Sequence, residues 1–186
     1  MQAIDFRLFQ LVNQFAGKWS VLDSLMTAIT NFGPFLLLLP LVYFWFYGED
    51  EGRQTVILTG VAVAGALLVN QVIGHIYFRP RPFAAHKVAL LVPRSLDPSF
   101  PSDHATFAFA IASTVWLRHR HLGIIVIGLA ALIAISRVFV GMHYPLDVIG
   151  SATIGMCSAL VTWRMRSRLA FLTSFVVGVA KRIRLA

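Results

Sequence analysis

A chain of 186 residues with 58% hydrophobic and only 13% charged side chains cannot form the polar surface of a soluble domain. Its net charge of +8 would suit nucleic acid on a soluble protein. Here the basic residues gather at the ends of apolar runs, where membrane orientation and anionic lipid account for them, so nucleic acid is excluded as a partner.

The elements follow in chain order. Residues 1–18 place Ile4, Leu8, Leu11, Val12 and Phe15 at helical spacing, which predicts a helix lying in the membrane interface. No basic segment precedes an apolar core there, so no cleaved signal peptide is expected. Uncharged runs then cover 24–47, 54–74, 105–117 and 122–136, and another covers 148–163. A spanning helix needs about 20 mostly apolar residues, which the first two runs satisfy directly. The other three reach that length when their polar ends sit near the bilayer surface. An all-α integral membrane protein is predicted, a bundle of about five to six transmembrane helices in a single domain, 1–186. Cys157 lies mid-span among Ser151, Gly155 and Ser158 and is expected to pack. Residues 169–186 form a basic tail whose apolar part, 171–180, is too short to span and is expected at the interface.

The connections are short except for 78–103, which is rich in proline and basic residues. Counting crossings puts 78–103 and 141–144 on the same side. The other side carries Arg53, Arg118, Arg120, Arg164, Arg166 and Arg168, with Lys181, Arg182 and Arg184 in the tail. By the positive-inside rule that side is cytoplasmic, so the two polar loops face outward.

Those loops carry the chemistry. Arg81 and Arg137 come from different segments, and guanidinium forks match phosphate oxygens two at a time. In FPSDH, 100–104, Ser102 is an expected N-cap, and the helix start behind it is an anion site with His104 in its first turn. In GMHYPLD, 141–147, Pro145 suits the first turn of the last span. Asp147 can then fold back to accept the Nδ1–H of His143, leaving Nε2 as a free lone pair. Each piece alone has a plainer reading: snorkelling arginines, an N-cap serine, a capping aspartate. All of them on one face describe a phosphoryl site, with charge on the equatorial oxygens neutralised by arginine and two histidines for attack and protonation. His104, His143, Asp103 and Asp147 have the donor types for a metal, but the arginines would repel a divalent cation. There is no P-loop and no HExxH. Neither metal nor cofactor is expected.

PSDH followed by SRVFVGMHYPLD resembles the type 2 phosphatidic acid phosphatase superfamily, which shares its core with vanadium haloperoxidases. Of the pattern KxxxxxxRP, PSxH and SRxxxxxHxxxD, the second matches at Pro101, Ser102 and His104, and the third at Ser136, Arg137, His143 and Asp147. The first matches only at Arg81 and Pro82, because Gly74 stands where the lysine would be. Arg79, His75 and Lys87 are candidates to supply that charge. The resemblance implies that His143 is the nucleophile forming a phosphohistidine, oriented by Asp147. It implies that His104 is the acid and then the base, and that Arg81, Ser102 and Arg137 bind phosphate. Within the superfamily, the short chain, YFRPRPF and SFPSDH resemble bacterial undecaprenyl-diphosphatases. That implies a polyprenyl diphosphate substrate at the outer face of the bacterial cytoplasmic membrane, recycling of the cell-wall carrier lipid, and a link to bacitracin resistance. A phosphatase for phosphatidylglycerophosphate, phosphatidate or lipid A, or a lipid phosphotransferase, would use the same residues. A non-enzymatic lipid-binding protein is disfavoured, since no charged path runs through the spans. The oligomeric state is not legible.

Overall fold

The computed structural model describes residues 2–183, so Arg184 lies outside the described residues. Among these residues all regular structure is helical. Helices α1 (Gln2–Asn13), α2 (Ser20–Leu36), α3 (Leu39–Tyr47) and α4 (Glu49–Ile76) come first. A single turn of helix, α5 (Pro82–Ala85), interrupts the long connection. Helices α6 (Asp103–Arg118), α7 (Arg120–Phe139), α8 (Pro145–Arg164) and α9 (Ala170–Arg182) complete the chain.

The stretches Ser20–Tyr47, Glu49–Ile76, Arg120–Phe139 and Pro145–Arg164 are long and apolar enough to cross a membrane. The first is α2 and α3 together, broken at Leu37–Leu38 between Pro34 and Pro40, each of which lacks the N–H that a continuous helix needs. α6 has 16 residues, about 24 Å of helix, yet it also runs from one end of the bundle to the other. Its start meets the far end of α4, where Asn70 donates to Asp103 at 2.8 Å, and its last residue, Arg118, pairs with Glu51 at the start of α4. The third apolar run of the sequence, 105–117, is therefore the central crossing, with α4, α7 and α8 packed around it. The outer flanks of α2, α4, α7 and α8 present Phe32, Phe35, Leu68, Ile125 and Ile149 outward, a surface suited to lipid.

Small residues set the interior. Ala105, Ala108 and Ala112 of α6 are fully buried, and Ala130 and Ala159 are buried on α7 and α8. A Cβ on Gly155 would lie 2.5 Å from the Thr106 carbonyl oxygen and 2.8 Å from the Ala110 nitrogen, so α6 and α8 touch backbone to backbone. Cys157, expected to pack, is exposed instead, because the buried stripe of α8 runs through Ser151, Ala152, Gly155, Ala159 and Thr162.

Neither terminal helix adds a crossing. α1 lies at the end of the bundle where α6 and α8 begin, and its Asp5 accepts from the Leu146 N–H at 3.0 Å. Ile4, Leu8, Leu11 and Phe15 are exposed, while Phe9 is wholly buried. α9 follows the turn after Arg164 and ends with Lys181 on Asp50 at 2.6 Å, so it runs along the opposite end.

Candidate active site

The 77–102 connection and the 140–144 turn meet at one end of the bundle, as crossing parity requires. Between them is a cavity of about 580 Å³, lined by Arg81, His104, Arg137 and His143 among others. Two histidines and two arginines from three stretches of sequence therefore share one chamber.

His143 is placed by the end of α7. The N–H groups of Met142 and His143 both donate to the Arg137 carbonyl, at 3.1 and 3.3 Å. Gly141 makes the preceding turn at φ 88°, and a Cβ there would lie 2.4 Å from the Ala89 carbonyl oxygen. Gly141→Val is therefore expected to cost about 1–3 kcal/mol from the backbone conformation alone, with the clash in addition. The check is a lowered melting temperature in detergent together with loss of activity; an unchanged melting temperature would contradict it.

The His143 ring is 2% exposed. Its Nδ1 lies 2.6 Å from the Ser99 carbonyl oxygen. A carbonyl can only accept, so the proton is on Nδ1 and the Nε2 lone pair points to Arg81, whose Nη1 is 3.4 Å away. Burial, followed by the fields of Arg137 and Arg81, pushes the imidazole well below the usual histidine value. It is neutral at physiological pH.

This corrects the expectation that Asp147 accepts the Nδ1–H directly. Both oxygens of Asp147 are engaged elsewhere. Oδ1 takes Arg79 Nη1 at 2.5 Å, and Oδ2 takes the Ser99 hydroxyl at 2.5 Å and the Tyr144 N–H at 3.0 Å. Asp147 sits at the third position of α8, so it caps the helix and holds Ser99, and the Ser99 backbone orients the histidine.

The two cavity arginines differ in their partners. Arg81 Nε donates to the Asp97 carbonyl at 2.9 Å, which swings the rest of the guanidinium toward His143. Burial lowers its pKa, yet it remains far above neutrality. Arg137 is 6% exposed, and its Nε has no hydrogen-bond partner among the described residues. The Ser102 hydroxyl is likewise buried and unpartnered. Ser102 does occupy the N-cap position of α6, but its side chain makes no capping bond, contrary to expectation. Its N–H instead donates to Ser151 Oγ at 2.6 Å. Buried donors without partners are costly, and a phosphate oxygen would satisfy them. The His104 ring lines the cavity and makes no hydrogen bond among the described residues, so it is unencumbered for proton transfer.

Of the candidates to replace the family lysine, only His75 lines the cavity, its Nδ1 2.7 Å from the Gln71 carbonyl. Arg79 is held between Asp5 and Asp147 and stacks 4.1 Å from the Tyr144 ring centre, which takes it away from phosphate. Lys87 lies along a separate groove beside α1, because the chain after α5 turns to pack there, with Asn13 bonded to Ala89. A Cβ on Gly74 would meet only Pro98, at 3.9 Å, so the position left by the lysine opens into the cavity.

Sequence reasoning missed Asp5, Asn70, Ser99 and Ser151. Asn70 bonds both Asp103 and Thr106, and Ser151 ties Asp147 to Ser102 through its hydroxyl. A polar side chain inside an apolar run was the available signal for Asn70 and Ser151. Ser99 reaches Asp147 through its hydroxyl but His143 through its carbonyl, which no residue identity reveals.

Comparison with known proteins places the fold and the family. The chain is 34% identical over 180 residues to the undecaprenyl-diphosphatase BcrC of Bacillus subtilis, covering 97% of this chain and 93% of that one. Its fold is similar to the crystal structure of Aquifex aeolicus LpxE, with a TM-score of 0.73 and 30% identity over 87% of this chain and 95% of that one. A PAP2-type phosphatidylglycerolphosphate phosphatase from Bacillus subtilis superposes with a TM-score of 0.65 at 25% identity, covering 90% and 87% of the two chains. The PAP2 superfamily model matches residues 55–171, a stretch that contains both histidines, both cavity arginines and Asp147. The chain belongs to the PAP2 superfamily.

Proposed function

We propose that this protein removes the terminal phosphate of undecaprenyl diphosphate at the outer face of a bacterial cytoplasmic membrane. One observation carries the reading: His143, His104, Arg81 and Arg137 converge on a single cavity at one end of a membrane bundle. In this mechanism the terminal phosphoryl group sits between Arg81 and Arg137, with the Ser102 hydroxyl and the start of α6 as further donors. The Nε2 lone pair of His143 attacks phosphorus. The bond to the bridging oxygen breaks, and His104 gives that oxygen its proton. The phosphohistidine is then opened by water, which loses a proton to His104 as inorganic phosphate forms.

The substrate assignment is supported by the BcrC relative, whose name is undecaprenyl-diphosphatase. The outward orientation is supported by charge. The end away from the cavity carries Arg53, Arg118, Arg120, Arg164, Arg166, Arg168, Lys181 and Arg182. A second reading, phosphatidylglycerophosphate hydrolysis, is favoured by the second structural relative.

The test is phosphate release by purified protein in detergent, treated with EDTA and offered each lipid in turn. Release from undecaprenyl diphosphate without added metal is expected, because arginine already neutralises the phosphate. Activity only after magnesium is restored would overturn the mechanism. Release from phosphatidylglycerophosphate alone would favour the second reading.

A further inference from the structure

Helix α1 buries two polar side chains on either side of Phe9. Ile4, Leu8, Leu11 and Phe15 are exposed, whereas Asp5 is completely buried and Asn13 is 5% exposed. Asn13 has an ordinary anchoring task, donating to the carbonyls of Ala89 and Phe139 at 2.9 and 2.8 Å. Asp5 reaches the catalytic turn instead. Its Oδ1 accepts from the Leu146 N–H at 3.0 Å, in the first turn of α8, and its Oδ2 takes Arg79 Nη2 at 2.6 Å. The hydrogen bond to Asp5 and the field of Asp147 outweigh burial and keep Arg79 firmly charged.

From Arg79 the contacts run inward without a gap. Arg79 Nη1 bonds Asp147, Asp147 holds the Ser99 hydroxyl, and the Ser99 carbonyl accepts Nδ1–H of His143. The Arg79 backbone pins the same serine from the other side, its carbonyl accepting the Ser99 N–H at 2.8 Å. Ser99 is thus clamped at hydroxyl and amide, and both clamps depend on where Arg79 sits. Arg79 in turn bridges two buried carboxylates, of which only Asp147 belongs to the catalytic turn.

We propose that Asp5 and Arg79 are positioning residues for the reaction, holding Asp147 and Ser99 so that the Ser99 carbonyl keeps the proton on Nδ1 of His143. The N-terminal helix is then part of the catalytic apparatus as well as a membrane-surface element. The inference rests on His143 being the nucleophile. Loss of the Asp5 charge leaves Arg79 tied to one carboxylate, and the clamp on Ser99 loosens. The reactants stay in the cavity, since neither residue lines it, but the attacking nitrogen is less well aimed.

The test uses full-length protein in detergent with undecaprenyl diphosphate, measuring steady-state phosphate release and, by rapid acid quench, the rate of phosphoenzyme formation. Asp5→Asn keeps the shape and removes the charge. It is expected to lower kcat and the phosphoenzyme rate by about 10- to 100-fold, the scale of a small misplacement of a reacting group. KM should stay within about threefold, because ground-state binding is untouched. Arg79→Lys keeps a charge but cannot bridge both carboxylates, and the same split is expected. It also serves if Asp5→Asn does not fold. Asn13→Ala removes an anchor of the same helix that touches none of Arg79, Asp147 and Ser99. It should lower the melting temperature and leave kcat of the folded fraction unchanged. Wild-type kcat in either Asp5→Asn or Arg79→Lys would overturn the proposal, and so would an equal loss of kcat in Asn13→Ala. His143→Ala runs in parallel. If it turns over substrate, the nucleophile assignment itself fails and takes the proposal with it. If it is inactive while Asp5→Asn is normal, only the positioning role fails.

Discussion

His143→Ala is expected to abolish phosphate release, with a loss on the order of 10⁶-fold, the scale seen when a covalent nucleophile is removed. The alanine takes away the attacking lone pair but leaves the arginines that hold phosphate, so lipid binding should persist. The variant should therefore bind substrate with near-normal affinity and form no phosphoenzyme. Substantial turnover would show that another group attacks phosphorus. The wild-type pH profile gives a second check. Burial beside two arginines depresses the His143 pKa, so its lone pair survives as pH falls through 6.5 and is lost only well below. The acid limb of kcat/KM due to this group should lie there, beneath the range of an ordinary histidine. Stability runs the other way. The unfolded chain takes up this proton at about pH 6.5 while the folded one does not, so acidification through that range should favour unfolding.

His104→Ala is expected to produce a loss whose size depends on the leaving group. The ring lines the cavity and has no hydrogen-bond partner among the described residues, which leaves its proton free for the bridging oxygen. General acid catalysis contributes about 10²–10⁴-fold, and more is needed as the leaving group becomes more basic. A lipid diphosphate expels a phosphate monoester, which leaves readily. A lipid monophosphate expels an alkoxide, which does not. His104→Ala should thus damage monophosphate hydrolysis more than diphosphate hydrolysis, while His143→Ala damages both alike. Single-turnover phosphate release from paired lipids of one chain length makes the comparison. Where monophosphate turnover is unmeasurable, diphosphates with different leaving groups serve. An equal loss across leaving groups would make His104 a phosphate ligand.

The bundle was legible in the sequence because membrane helices announce themselves by length and hydropathy. The cavity was legible because parity brings its two loops to one end. The wiring inside it was less so. Asp147 lies four residues after His143, a spacing that suggests direct contact. Arg79 and Ser99 arrive from the long connection and occupy both of its oxygens. Arg79 looked like a phosphate ligand because its partner Asp5 sits on a helix read only for its apolar residues. Contacts between residues so distant in sequence leave no trace in composition or periodicity. The unpartnered Ser102 hydroxyl is a similar case: the residue sits where an N-cap belongs, and only geometry distinguishes a cap from a donor held in reserve.

The crossing of α6 and α8 fixes the frame on which the site is built. A side chain at Gly155 would run into the backbone of α6, and nearby Ser151 accepts from the Ser102 N–H and offers its carbonyl to Thr106. Helices joined at such short range travel as one body, since parting them would forfeit the contact and the hydrogen bonds together. His104 rides on one helix and the base of the His143 turn on the other, so the separation of the two imidazoles is kept through every cycle. The helix pair is therefore the fixed frame of the site, and the 77–102 connection, which carries Arg79, Arg81 and Ser99, is held against it through Asp147.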